Sequence, residues 1–251
     1  MNRKKIAIYV EGQTEQILIN HLIKTWWCYS GIRVNNFRIL KGLNKESDVK
    51  NYPVHSDIES QLLFLIFNVE GEGSLPSSIA DRASKQHEQH FKIIALRDLY
   101  AEDYKKNQNK ENADQVVLAN IRKALKIKGC VEPEKIDIFF SIMEIEAWLL
   151  AFSNALLRWA KYSPDLPQNL EAIPRPSLRL EEFGKLAGRG AHKSYHEITS
   201  YVTPISREDI QDVYNSNRVP SFSKFWNKLL SLSGDNPLCE NPPEELLLKS
   251  D

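Results

Sequence analysis

The chain has 251 residues, 42% hydrophobic and 26% charged, with five Trp and ten Phe, which is enough apolar bulk for a globular core. Its 33 basic and 33 acidic side chains cancel, which excludes a global electrostatic pull toward nucleic acid or membrane and leaves such binding to local patches. Cys28, Cys130 and Cys239 are far apart with no C-x-x-C pair; they read as reduced thiols, and with no signal peptide and no run near the ~20 apolar residues of a membrane span, the expected location is the cytoplasm.

In chain order, Ile6–Val10 reads as a buried strand, and residues 14–28 as a helix with Ile17, Leu18, His21, Leu22 and Trp26 near one face. A second strand is expected within 32–40, then a polar inserted loop from Lys41 to Glu59, then the continuous apolar strand Leu62–Phe67. After Gly71 and Gly73, Ser77 or Ser78 is the expected cap of a polar helix reaching about His90. The next strand starts at Phe91 and ends at Arg97-Asp98; a helix covers 113–127, and Ile136–Ile142 is the last strand, running into one apolar helix from Glu144 to Trp159. Alternation of this kind predicts an α/β fold: a mostly parallel, Rossmann-like sheet flanked by helices over residues 1–160. Prolines 164, 167, 174 and 176 open a helical C-terminal region, 161–233, with helices near 178–187, 194–202, 207–215 and 221–232, and 234–251 is a proline-bearing tail.

Acidic residues recur where strands end: Glu11 and Glu15 after the first, Asp98 and Asp103 after the central one, Glu144 and Glu146 after the last. Neighbouring parallel strands lie about 4.8 Å apart, so carboxylates at their shared end can converge. Converging carboxylates repel unless cations sit among them, and hard oxygen ligands suit Mg²⁺ or Mn²⁺. Each also has a plainer explanation. The helix dipole favours Glu15 in a first turn, Ser141 and Glu144 have capping-box spacing, and Asp98 can simply begin a loop. Glu146 is the strongest single candidate, because its neighbours Ile145, Ala147, Trp148, Leu149 and Leu150 are apolar and a carboxylate there is costly without a partner.

Val10-Glu11-Gly12-Gln13-Thr14-Glu15 resembles the first motif of Toprim domains, the α/β metal-binding fold of topoisomerases, primases and OLD-type nucleases. The resemblance extends to Leu96-Arg97-Asp98, to Met143–Leu150, to a segment centred on Lys193, and to Asn217-Arg218-Val219-Pro220-Ser221-Phe222. It implies a Toprim-like fold, Glu11 as the acid/base or metal-binding Glu, Asp98 as the first Asp of a DxD motif, an ATPase partner and a role in antiphage defence. Tyr100 departs from that pattern by standing in place of the second Asp, with Asp103 a partial substitute.

Between Phe183 and Lys228 seven basic side chains face four acidic ones in sequence. Arg189, Lys193, Arg218 and Lys224 from this stretch, together with Arg97, are the candidate nucleic-acid contacts; Tyr195, Tyr201, Tyr214, Phe222, Phe225 and Trp226 are either base-stacking platforms or core. His192 and His196 lack the Glu that a zincin needs, and no P-loop is present, so ATP hydrolysis would fall to a partner. The leading expectation is a Mg²⁺-dependent nuclease on DNA or RNA, with Glu11, Asp98 and Glu146 at the metal, Glu15, Asp103 and Glu144 assisting, and Lys193 reaching the phosphate. The rivals are a Toprim-fold binding or regulatory subunit without strong catalysis, and a phosphoryl-transfer enzyme acting on small nucleotides.

Overall fold

Continuous apolar runs such as Ile6–Val10, Leu62–Phe67 and Ile93–Leu96 form the middles of central strands seven to nine residues long, because a strand covered on both faces needs no polar alternation. The computed structural model describes residues 3–39, 46–48, 60–100, 113–161, 165–186, 188 and 194–234. Its strands are β1 (Lys4–Val10), β2 (Ile32–Ile39), β3 (Glu46–Asp48), β4 (Leu62–Asn68), β5 (Phe91–Leu99) and β6 (Ile136–Ile142). They lie in the order β3-β2-β4-β1-β5-β6, and every pairing is parallel except that of β2 with β3. The helices are α1 (Gln13–Trp26), α2 (Leu75–Glu88), α3 (Ala113–Ile127), α4 (Ile145–Ala151), α5 (Ser153–Ala160), α6 (Pro176–Leu186), α7 (Tyr195–Val202), α8 (Arg207–Ser216) and α9 (Pro220–Ser233). The chain is therefore an α/β protein with a mostly parallel sheet, helices on both faces and a helical C-terminal region.

Strand periodicity sorts β1 between two cores. Ile6, Ile8 and Val10 join α1 and the C-terminal helices on one face, while Ala7 and Tyr9 join α2 and α3 on the other. Tyr9 stacks on Phe67 at 4.8 Å and donates its hydroxyl to Oε1 of Gln86, so its polar end is satisfied within the second core. The C-terminal helices have no core of their own among the described residues. Helix α9 lies on β6 and β1, α7 and α8 lie on α1, and Trp226 meets Trp26 edge-on at 5.7 Å. No described helix is long and apolar enough to cross a membrane.

Some local expectations need correcting. Within the expected loop 41–59, residues 46–48 form the antiparallel edge strand β3; the remainder lies outside the described residues. The cap of α2 is Ser74, not Ser77 or Ser78, and Ser77 instead donates its hydroxyl to the Ser74 carbonyl inside the first turn. The apolar stretch from Glu144 to Trp159 is two helices, broken at Phe152 (φ −77, ψ 55), whose ring turns in against Phe222 at 5.8 Å. Apolar periodicity runs through that break, so pattern alone does not reveal it. Cys28 is disulfide-bonded rather than a reduced thiol, and Cys130 is free and buried.

Candidate functional site

The crossovers locate the site. From β1 the chain passes through α1 toward β2 on one face of the sheet; from β5 it passes through α3 to β6 on the other face. Adjacent strands β1 and β5 thus send their connections in opposite directions, and open α/β sheets bind ligands in the crevice at such a switch point, beyond the carboxyl ends of the strands. Glu11 follows β1 directly, Asp98 is the penultimate residue of β5, and Glu146 lies in the first turn of α4 behind β6.

Register explains their neighbours. Val10 pairs with Leu96, so the next residue, Glu11, comes alongside Arg97, whose Nε lies 3.4 Å from Oε1 of Glu11. Asp98 pairs with Ser141, which is fully buried and donates its hydroxyl to Oδ1 of Asp98. Glu15 reaches the same place from the first turn of α1. Gly12 makes room for it, since a Cβ at residue 12 would stand 2.9 Å from the Glu15 carboxylate. Met143 turns the chain from β6 into α4 in a left-handed conformation (φ 72) that a non-glycine residue adopts only at a cost.

Glu11, Glu15, Asp98 and Glu146 are only 4–6% exposed. Burial, reinforced by the charges of Glu15, Glu146 and Glu11, raises the Asp98 pKa well above the usual carboxylate range, against the opposing hydrogen bond from Ser141. The Tyr100 phenol is pushed up by burial and by Asp98, Glu11, Glu15 and Glu144, so it stays protonated. These couplings show one electrostatic cluster. Its spacing is not that of a formed metal site: among the described residues no three acidic, histidine or cysteine side chains are arranged to hold an ion.

The cluster opens into a cavity of about 670 Å³ lined by Glu11, Glu15, Arg38, Glu70, Tyr100 and Tyr195 among others. The loop after β4 is tied to it, because the Gly71 N–H donates to the Glu11 carbonyl at 2.7 Å and the Glu70 N–H to Oδ1 of Asn68 at 3.0 Å.

Residues 10–230 match the model of a family described as a domain of unknown function, DUF4276. The chain belongs to the DUF4276 family. No curated protein and no solved structure matches it.

In this DUF4276 protein the remaining sequence candidates divide. Glu144 is the N-cap residue of α4, and its Oε2 accepts the Ser177 N–H at 3.0 Å. It holds α6 in place, and Ser141 sits in β6 bonded to Asp98, so the two do not form the capping box that their spacing suggested. Arg97 is turned toward Glu11 rather than outward. Arg218 lines a separate cleft of about 80 Å³ and donates to the Pro167 carbonyl at 3.2 Å. Lys224 is exposed on α9, while Phe222, Phe225 and Trp226 of the same helix are fully buried and available to no base. Asp103, Arg189 and Lys193 lie outside the described residues. Sequence reasoning missed Arg38, Asn68 and Glu70. All three sit at or just past the ends of β2 and β4, the signal that singled out Glu11, but only the acidic residues after the first, central and last strands were read that way.

Proposed function

We propose that this chain is a divalent-metal-dependent nuclease of the Toprim type, hydrolysing nucleic-acid phosphodiesters. The observation that supports it is the gathering of Glu11, Asp98 and Glu146, with Glu15, from separate elements into one buried cluster at the topological switch point. The donor chemistry fits Mg²⁺ or Mn²⁺: oxygen ligands only, with mutual repulsion that a cation relieves. Glu11, Asp98 and Glu146 would hold the ion, assisted by Glu15. A divalent ion so held supplies an activated water and neutralises charge on the phosphoryl oxygens. The chain's own residues do the rest. Arg97 orients Glu11, Ser141 holds Asp98 in register, and the protonated Tyr100 hydroxyl is a donor for a phosphate oxygen.

Purified protein with Mn²⁺ should cut nucleic acid, and Glu11→Gln should slow cutting at least ~100-fold with an unchanged melting temperature. Equal rates in the two proteins would falsify the role of Glu11. A second reading is favoured by Tyr100 and by the unformed metal spacing: a Toprim-fold binding or regulatory subunit with weakened catalysis. Calorimetric titration with Mn²⁺ separates the two, and no detectable heat favours the subunit. By the same resemblance we extend the reading to antiphage defence beside an ATPase partner, which affinity purification from infected cells would test.

A further inference from the structure

The cavity carries more information than its carboxylates. At about 670 Å³ it has the size of a small-ligand site, which spans roughly 300–1,000 Å³. A base within a duplex is stacked on both sides, so a site of this size takes one nucleotide only if it is already unstacked. Two tyrosines from distant parts of the fold form its aromatic wall: Tyr100, just past β5, and Tyr195, the first residue of α7. Aromatic faces bind any base, typically for about 1–3 kcal/mol each.

Arg38 is the one basic residue among the described lining residues. It lies near the end of β2, in register with Asn68 on β4, which is in register with Val10 on β1. Two strand spacings therefore separate its backbone from the start of the carboxylate cluster, roughly 10 Å at about 4.8 Å each. Its side chain is 56% exposed and ion-paired with Glu70 at the rim. An exposed pair of this kind contributes little to stability, and a guanidinium binds phosphate bidentately as readily as carboxylate.

We propose that the cavity receives one unstacked nucleotide of a single strand, its phosphate taken by Arg38 in exchange for Glu70 and its base set against Tyr100 and Tyr195. This rests on the nuclease reading and narrows its substrate to single-stranded nucleic acid. Glu70 then acts as a placeholder that keeps the guanidinium aimed across the cavity and repels strands that cannot displace it.

The test is fluorescence anisotropy of a labelled 12-nucleotide single strand and its duplex on the full chain in Ca²⁺, an oxygen-seeking ion that permits binding to be read without turnover. The single strand should bind at least ten-fold tighter than the duplex. Arg38→Ala should weaken it about ten-fold and reduce the salt slope by about 0.7, the loss of one phosphate contact on a single strand. Glu70→Gln should tighten binding several-fold, and Tyr195→Leu should weaken it while Tyr195→Phe retains it. Duplex binding equal to or tighter than single-strand binding overturns the proposal, as does an unchanged salt slope in Arg38→Ala. A free mononucleotide that binds as tightly as the strand also overturns it, by assigning the cavity to small nucleotides. Failure of the nuclease reading appears elsewhere, as Mn²⁺-dependent cutting that Glu11→Gln leaves intact.

Discussion

Gly12 has an ordinary extended conformation (φ −142), so its value lies in the missing side chain. A Cβ would meet the Glu15 carboxylate at 2.9 Å, and the buried carboxylate has to give way. Gly12→Ala should therefore lower Mn²⁺-dependent activity about ten-fold or more while the melting temperature moves by no more than a few degrees, because extended backbone accommodates alanine. A loss of activity matched by a collapse in stability would instead make Gly12 a folding residue. His21 carries a different prediction. Its Nε2–H donates to the Ile205 carbonyl at 2.9 Å, and burial, with help from the Lys24 charge, lowers its pKa to about 4. The unfolded chain, with a His pKa near ~6.5, takes up this proton first. The stability from neutral His21 is complete above about 6.5 and is lost as pH falls through about 4, to a limit of ~3 kcal/mol. Urea unfolding at several pH values should show this slope in the wild type and a shallower one in His21→Gln; identical slopes remove His21 as the cause.

At the scale of elements, α9 decides how the C-terminal region is held. Phe222, Phe225 and Trp226 are fully buried, with Trp226 stacked on Phe222 at 5.7 Å and set against Trp26 and Trp27 of the α1 end. Nε1 of Trp148 donates to the Ser221 hydroxyl at 2.8 Å, which joins α4 to the same helix. Trp226→Ala should cost about 3–5 kcal/mol, as large-to-small changes in packed cores do, read as a shift in denaturant midpoint. A cost under ~1 kcal/mol would mean that α9 is only lightly attached. Helical spacing of these aromatics was visible in the sequence and favoured core burial, yet spacing alone left base stacking open. Packing against two tryptophans of α1, some two hundred residues away, settled it as core.

For the whole molecule, the shared core means that the sheet and the C-terminal helices stabilise one another. Phe222, Phe225, Trp226 and Leu229 alone represent roughly 6–12 kcal/mol of burial at about 1.5–3 kcal/mol each, comparable with the entire stability of a typical domain. A fragment of residues 1–161 should bind ANS strongly and aggregate, because α1 loses its cover. A fragment that stays monomeric with a cooperative melt would show that the sheet region is self-sufficient.

The sequence by itself determined the alternation of strands and helices, the spans of α3 and β6, and the placing of Glu11 and Asp98 at strand ends with Glu146 just behind the last strand. Those features follow from local periodicity and from short apolar runs, whose energetics involve residues close in the chain. Strand order, register and crossover direction are long-range, and only the tertiary structure decided them. They put β1 beside β5, drew Arg97 to Glu11 and Ser141 to Asp98, diverted Glu144 to Ser177, and brought Arg38 and Tyr195 to the cavity. A residue's partner depends on which strand lies next to its own, and nothing within a window of neighbouring residues encodes that.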